Sequence, residues 1–225
     1  FAASPDDEPT PDGMLGHRFA QIARQTLRGG QSQSPEPARV EQAMILLEQA
    51  VDLRPSDPEL RLMIAEAAGL AGDEPRVTQA ISAYLKLRPT DDAAWLRLIR
   101  RLARRHQTLD GQLKVYQRFL NTKVGRSFGP ALRSRIASDS AALEFQRGEL
   151  DRHARLTMQA LGLDPTNKAA AADAYRIMLQ REDSRKLQVE SLLTWFYADP
   201  GDPATRRTVA RTLLDLGAYE PAQSW

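Results

Sequence analysis

Apolar residues recur at intervals of three and four along almost the whole chain, the signature of amphipathic helices. Between Met14 and Arg28 they are Leu15, Phe19, Ile22 and Ala23; over Ala38 to Leu53 they are Val40, Ala43, Leu47 and Ala50. Further helices are predicted over Glu59 to Gly72 and Arg76 to Leu87. A third pair places Trp95, Leu98, Ile99 and Leu102 on its first helix and Leu109, Leu113, Tyr116 and Leu120 on its second. Asn121 to Pro130, with Gly125 and Gly129, is an extra segment. A longer helix carrying Ile136, Leu143 and Phe145 then runs to Gln146, breaks at Gly148-Glu149, and is followed by Leu150 to Leu163. A fifth pair opens at Lys168 with Tyr175, Ile177 and Leu179 and continues with Leu187, Leu192, Trp195 and Phe196. A sixth opens at Ala204 with Val209, Leu213 and Leu216 and turns at Gly217. The prediction is an all-α chain.

The helices are punctuated by one repeated phrase. It reads Leu-Arg-Pro-Ser-Asp at Leu53 to Asp57, Leu-Arg-Pro-Thr-Asp at Leu87 to Asp91 and Leu-Asp-Pro-Thr-Asn at Leu163 to Asn167, and weakens to Ala-Asp-Pro-Gly-Asp at Ala198 to Asp202. Pro55 and Pro89 are 34 residues apart, Pro165 and Pro200 are 35, and the gap of 76 between them fits two units plus the extra segment. Proline ends a helix and pushes the preceding residue out of the helical region. The Asp or Asn two residues later caps the next helix, and Pro58 and Pro203 occupy first helical positions, where the missing N–H costs nothing. A fixed period of this length predicts stacked helix pairs. One pair has too few large apolar side chains to offset its own backbone entropy, so neighbours must bury each other's faces.

On these residues the chain resembles the tetratricopeptide repeat family, whose 34-residue units open with Trp-x2-Leu-Gly-x2-Tyr and close with Ala-x3-Phe-x2-Ala before a proline. Trp95-x2-Leu98 carries the opening pair, Ala43-x3-Leu47-x2-Ala50 before Pro55 carries the closing pattern, and Gly72, Gly148 and Gly217 stand between paired helices. The third unit has Lys123 near the place of its closing proline, and the fourth and fifth have weak first-helix signatures. The resemblance covers residues 14–225 and implies a right-handed superhelical solenoid of about six units, the last incomplete and continuing past Trp225. It also implies a concave groove, lined by first helices, that binds protein or peptide.

Composition narrows this further. Net charge is +2, with 42% apolar and 27% charged residues and no cysteine, which excludes disulfides and thiol chemistry. No apolar run is long enough to span a membrane. Residues 1–13 hold Asp6, Asp7, Glu8 and Asp12, three prolines and no base, and are expected to form an extended tail. Phe1-Ala2-Ala3 has the character of a signal-peptide remnant, which suggests an exported or periplasmic protein; a cytoplasmic one is the alternative. Gly29 to Pro37 reads as a plain loop, because no Gly-Lys-Ser/Thr follows the glycines.

No catalytic motif, metal-ligand spacing or cofactor signature is present. His17, His106 and His153 lie in separate units and are expected to pack or face solvent. One chemical feature stands out. Arg97, Arg100 and Arg104 share a face of one helix, and the corresponding first-helix faces later offer Arg135, Arg176 and Gln180, then Arg207 and Arg211. Such a row would suit an acidic peptide or a carboxylate, although an ordinary solvated helix face looks the same. Nucleic acid is disfavoured, because the net charge is small and no aromatics interleave with the arginines. The expected function is a non-enzymatic scaffold for protein or peptide. The alternative is a structural subunit of a larger, envelope-associated assembly that docks through its ends or outer face.

Overall fold

A computed structural model of the chain describes residues 10–28, 36–180 and 185–215. The described residues form twelve helices and no strand. They fall into two compact units, residues 1–98 and 99–225, with the division inside α5. The first unit holds α1 (Pro11–Arg28), α2 (Pro37–Leu53), α3 (Pro58–Leu70), α4 (Glu74–Leu87) and the start of α5 (Asp92–Arg104). The second holds the rest of α5, then α6 (Leu109–Asn121), α7 (Lys123–Ser127), α8 (Pro130–Gln146) and α9 (Leu150–Leu163). It ends with α10 (Lys168–Gln180), α11 (Arg185–Ala198) and α12 (Pro203–Asp215). Most of the expected tail and of the Gly29 to Pro37 loop, with Leu216, Gly217 and Trp225, lies outside the described residues.

The repeated phrase builds the same corner four times. Asp57, Asp91, Asn167 and Asp202 each donate a backbone N–H to the carbonyl three residues back, at 3.1–3.3 Å. Their side chains then cap the next helix, accepting from the N–H groups of Glu59 at 2.9 Å, Ala94 at 2.9 Å, Ala170 at 3.3 Å and Ala204 at 3.1 Å. Within pairs the break falls where glycine was expected, at Gly72 (φ 71) and Gly148 (φ 80). That backbone is strained for any residue with a Cβ, and it lets Asp73 and Glu149 donate back to Ala68 and Glu144 at 2.9 and 3.0 Å.

Three local expectations are revised. α1 begins at Pro11, so Pro11 to Gly13 belong to the helix rather than to an extended tail. Its buried face keeps only Ala23 of the expected apolar stripe, for Leu15 and Ile22 are exposed and Gly16 and Ala20 are buried in their place. Close approach explains this, because a Cβ on Gly16 would sit 3.0 Å from the Arg54 side chain at the end of α2. The extra segment also contains a helix of its own, α7. It presses so closely on the end of α6 that a Cβ on Gly125 would sit 1.3 Å from the Phe119 carbonyl oxygen.

The repeat is visible in burial. The alternation of buried and exposed positions over residues 41–50 of α2 recurs unchanged over 151–160 of α9, placing Leu47 opposite Thr157 in the repeat. The first unit fully buries Leu47, Leu60, Val77 and Ile81. The second fully buries Ile99, Leu132, Ile136, Leu192 and Val209, but also Ser134, Thr157 and Thr205.

Candidate functional site

In the first unit, α1, α3 and α5 line an open cleft of about 490 Å³. α1 contributes Arg24, Leu27 and Arg28; α3 contributes Glu59, Leu62, Met63 and Glu66; α5 contributes Arg97. Leu27 and Leu62 are half-buried and Met63 is buried, whereas the five charged side chains are exposed. The cleft therefore has an apolar floor, guanidinium groups from two of its helices and carboxylates from the third. Arg24 leans on that floor, its Nη2 3.6 Å from Met63 Sδ. Arg97 makes no ion pair among the described residues. Guanidinium groups above an apolar floor can hold a carboxylate in two-point contact while a neighbouring apolar side chain is buried.

Of the eight residues singled out in the sequence, Arg97 alone lines this cleft. Arg100, Arg104, Arg135, Arg176, Gln180, Arg207 and Arg211 belong to the second unit, and all are exposed. Several are already engaged. Arg100 grips Asp139 of α8 with two parallel bonds, Nε to Oδ2 at 2.7 Å and Nη2 to Oδ1 at 2.9 Å. Arg176 pairs with Asp173 at 2.6 Å, and Arg207 Nε donates to the Pro203 carbonyl at 3.2 Å. Arg104, Arg135 and Arg211 have no ion pair among the described residues. Sequence spacing found the shared helix face but could not see Asp139, 39 residues away, which turns Arg100 from a ligand-facing cation into a clamp between α5 and α8. It also missed Arg24 and Arg28, whose signal was the four-residue spacing of two arginines on α1.

The titratable groups fit this division. Asp139 raises the Arg100 guanidinium above its ordinary value, chiefly through the hydrogen bond they share. Burial, helped by the Asp139 charge, pushes the Tyr116 phenol up to about 12. In the first unit Tyr84 OH donates to Asp91 Oδ2 at 2.6 Å. That bond, with the Ala94 N–H, holds the Asp91 carboxyl below its ordinary value. His153 is buried with Nδ1 3.0 Å from the Ala141 carbonyl oxygen, a packing role; His17 and His106 are exposed. Among the described residues no group of His, Cys, Asp and Glu could hold a metal ion, and no helix is long and apolar enough to cross a membrane.

Charge divides as the units do. Residues 1–98 carry ten Lys and Arg against fifteen Asp and Glu, a net −5, and residues 99–225 carry twenty-one against fourteen, a net +7. The overall +2 conceals two strongly charged halves of opposite sign.

No family profile matches the chain, and no curated protein matches it. Solved structures do. PilF of Pseudomonas aeruginosa aligns over 96% of this chain and 90% of its own, with a TM-score of 0.54 at 11% identity. TTC0263, a thermophilic tetratricopeptide repeat protein of Thermus thermophilus, aligns over 88% of this chain and 99% of its own, with a TM-score of 0.45 at 17% identity. YrrB, a tetratricopeptide repeat protein with an unusual peptide-binding site, aligns over 88% and 97%, with a TM-score of 0.44 at 12% identity. At such identities the likeness speaks of fold alone, and the PilF alignment, with its TM-score of 0.54, carries it: a succession of helix pairs of the tetratricopeptide type.

Proposed function

We propose that this tetratricopeptide-type solenoid is a non-enzymatic interaction scaffold whose first-helix faces take up an extended, acidic segment of a partner protein. The cleft of the first unit carries this reading. Arg24, Arg28 and Arg97 stand around a floor of Leu27, Leu62 and Met63, a pairing of charge and apolar surface that suits a peptide with an acidic residue beside an apolar one. Glu59 and Glu66 disfavour a uniformly acidic ligand and favour one whose acidic group reaches the arginines of α1 and α5. Within the second unit, taken by itself, Arg104, Arg135 and Arg211 offer guanidinium groups of the same chemistry on first helices. Arg100, held by Asp139, ties α5 to α8, Arg176 and Arg207 are held within their own helices, and Gln180 offers a neutral donor at the end of α10.

The test is a photo-crosslinker at Leu62 in native extract. The expected result is a discrete adduct that disappears in an Arg24→Glu, Arg97→Glu variant with unchanged circular dichroism. An adduct of equal yield from that variant would overturn the reading, as would adducts obtained only from a crosslinker at Gln49 on the exposed side of α2.

A second reading is a structural subunit docking through its second helices. It is favoured by exposed apolar side chains there, Ile45 on α2 at 52% and Met158 on α9 at 49% exposure.

A further inference from the structure

We propose that α6 and α7 form a docking face for a second copy of this chain, and that its counterpart is the exposed stripe of α2. The argument begins in the sequence. Residues 111–138 contain six Lys and Arg and no Asp or Glu. They span α6, the extra segment and the start of α8, so the residues that interrupt the 34-residue period lie in its most one-sided stretch of charge.

The structure gives that stretch a shape. Lys114 and Arg118 are one turn apart on α6, and Lys123 and Arg126 flank Val124 on α7. All four cations are exposed and make no ion pair among the described residues; Val124 is 49% exposed. The one acid of α6, Asp110, sits in its first turn and is held by Arg147 at 3.1 Å. α7 is firmly seated. Thr122 Oγ1 accepts from the Gly125 N–H at 3.4 Å, Phe119 stacks on Phe128 with ring centroids 6.4 Å apart, and Gly125 lies against the Phe119 carbonyl. Cations around a solvent-facing valine, on a helix that cannot easily shift, make a pre-organised surface.

The chemistry that fits it is acidic, helical and centred on one apolar side chain, and the chain itself supplies this. Glu41, Ile45, Glu48 and Asp52 follow one another at four, three and four residues, so they share one face of α2. Ile45 is 52% exposed, Glu48 is paired with Arg76, and Glu41 and Asp52 have no ion pair among the described residues. The net charges of the two units, −5 and +7, make this approach attractive and that of like units repulsive. Because the two faces differ, a single contact leaves one face of each kind unused on the pair, to be met reciprocally by the same two copies or by a further copy. Neither face belongs to the cleft described above.

Sedimentation velocity of the purified chain at rising concentration tests this. At low salt the expected weight-average coefficient climbs with concentration, and the association weakens about tenfold or more when salt shortens the Debye length to about 6–8 Å. Lys123→Glu, Arg126→Glu cancels the positive charge of the α6–α7 face and sets acids around Val124, and Glu41→Lys, Asp52→Lys sets bases on the α2 stripe against the basic α6–α7 face, so each variant alone should remain monomeric. Their equimolar mixture restores complementary faces and should re-associate. A wild-type chain that stays monomeric at low salt overturns the proposal even if a variant proves unfolded. So does either folded variant associating like wild type, or a mixture of folded variants that stays monomeric.

Discussion

The two units close their corners with the same chemistry yet bury different things. Among the described residues, every buried polar or charged side chain lies in residues 99–225: Ser134, Ser138, Ser140, Glu144, His153, Thr157 and Thr205. The first unit is packed mainly by aliphatic side chains, alanine and methionine, with Tyr84 and its bond to Asp91 the exception. The second ties its helices with directed bonds: Ser134 donates to the Ala160 carbonyl at 2.7 Å and accepts from Asn167 at 2.9 Å. Buried Glu144 is held by Arg147 at 2.8 Å. Apolar packing tolerates neighbours of many shapes, whereas hydrogen bonds fix one register and are costly to leave half-made. One architecture is thus specified in two ways within one chain.

Matched positions offer the sharpest way to break the comparison. Leu47, fully buried in α2, and Thr157, buried at the equivalent place in α9, should respond in opposite senses. Leu47→Ala is expected to lower stability to urea by about 2–5 kcal/mol through the cavity it leaves. Thr157 Oγ1 has no hydrogen-bond partner among the described residues, so Thr157→Val should raise stability by about 1 kcal/mol. Equal losses at both sites would show that the two cores do not differ in kind.

Comparable in size is Gly125→Ala, which forces a methyl into the Phe119 carbonyl, so that backbone must shift, and is expected to cost about 3 kcal/mol or more. Gly162→Ala, where a Cβ would meet nothing within 4 Å, is the control and should stabilise α9 by up to about 1 kcal/mol. Tyr84→Phe comes third, at about 1 kcal/mol near neutral pH. Its signature is the acid limb. The folded Asp91 carboxyl titrates below its ordinary value, so its contribution is complete above pH 3.8 and fades as pH falls through the lower, folded value. Urea melts in the acid range should therefore be less pH-dependent in the phenylalanine variant. The smallest effect is Asp139→Asn, under about 1 kcal/mol because the ion pair is partly exposed. That variant frees Arg100, and a tighter grip on an acidic segment in the crosslinking assay would sharpen the distinction between clamp and ligand-facing arginine.

The same contrast explains what the sequence could disclose. Corners, breaks and most helices were legible because proline, glycine and capping Asp act locally, and their partners lie two to five residues away. The fourth unit reads weakly because Ser134, Ser138 and Ser140 occupy buried positions of α8 in place of aliphatics, while Phe145 stands 51% exposed at its end, and the fifth because α10 buries Ala170, Ala171 and Ala174. α1 misled for the converse reason. Its closest approach is made through Gly16, Ala20 and Ala23, and small side chains give a faint hydrophobic signal. At the cleft the sequence offered Arg97 but not its companions. The stacking of α1 and α3 beside α5 is a long-range fact, and no spacing within one helix encodes it.

The small-residue seat of α1 has a consequence in hydrogen exchange. Of its own buried residues, that helix bares only glycine and alanine when lifted, where α2 would bare Val40, Met44, Leu47 and Val51, so α1 is the lower-cost opening of the two. Arg24, Leu27 and Arg28 ride on it, and the cleft therefore exists only while α1 is seated. A segment lying in the cleft draws on the closed state and holds it, so the amides of α1 report occupancy as slowed exchange even where no helix changes place.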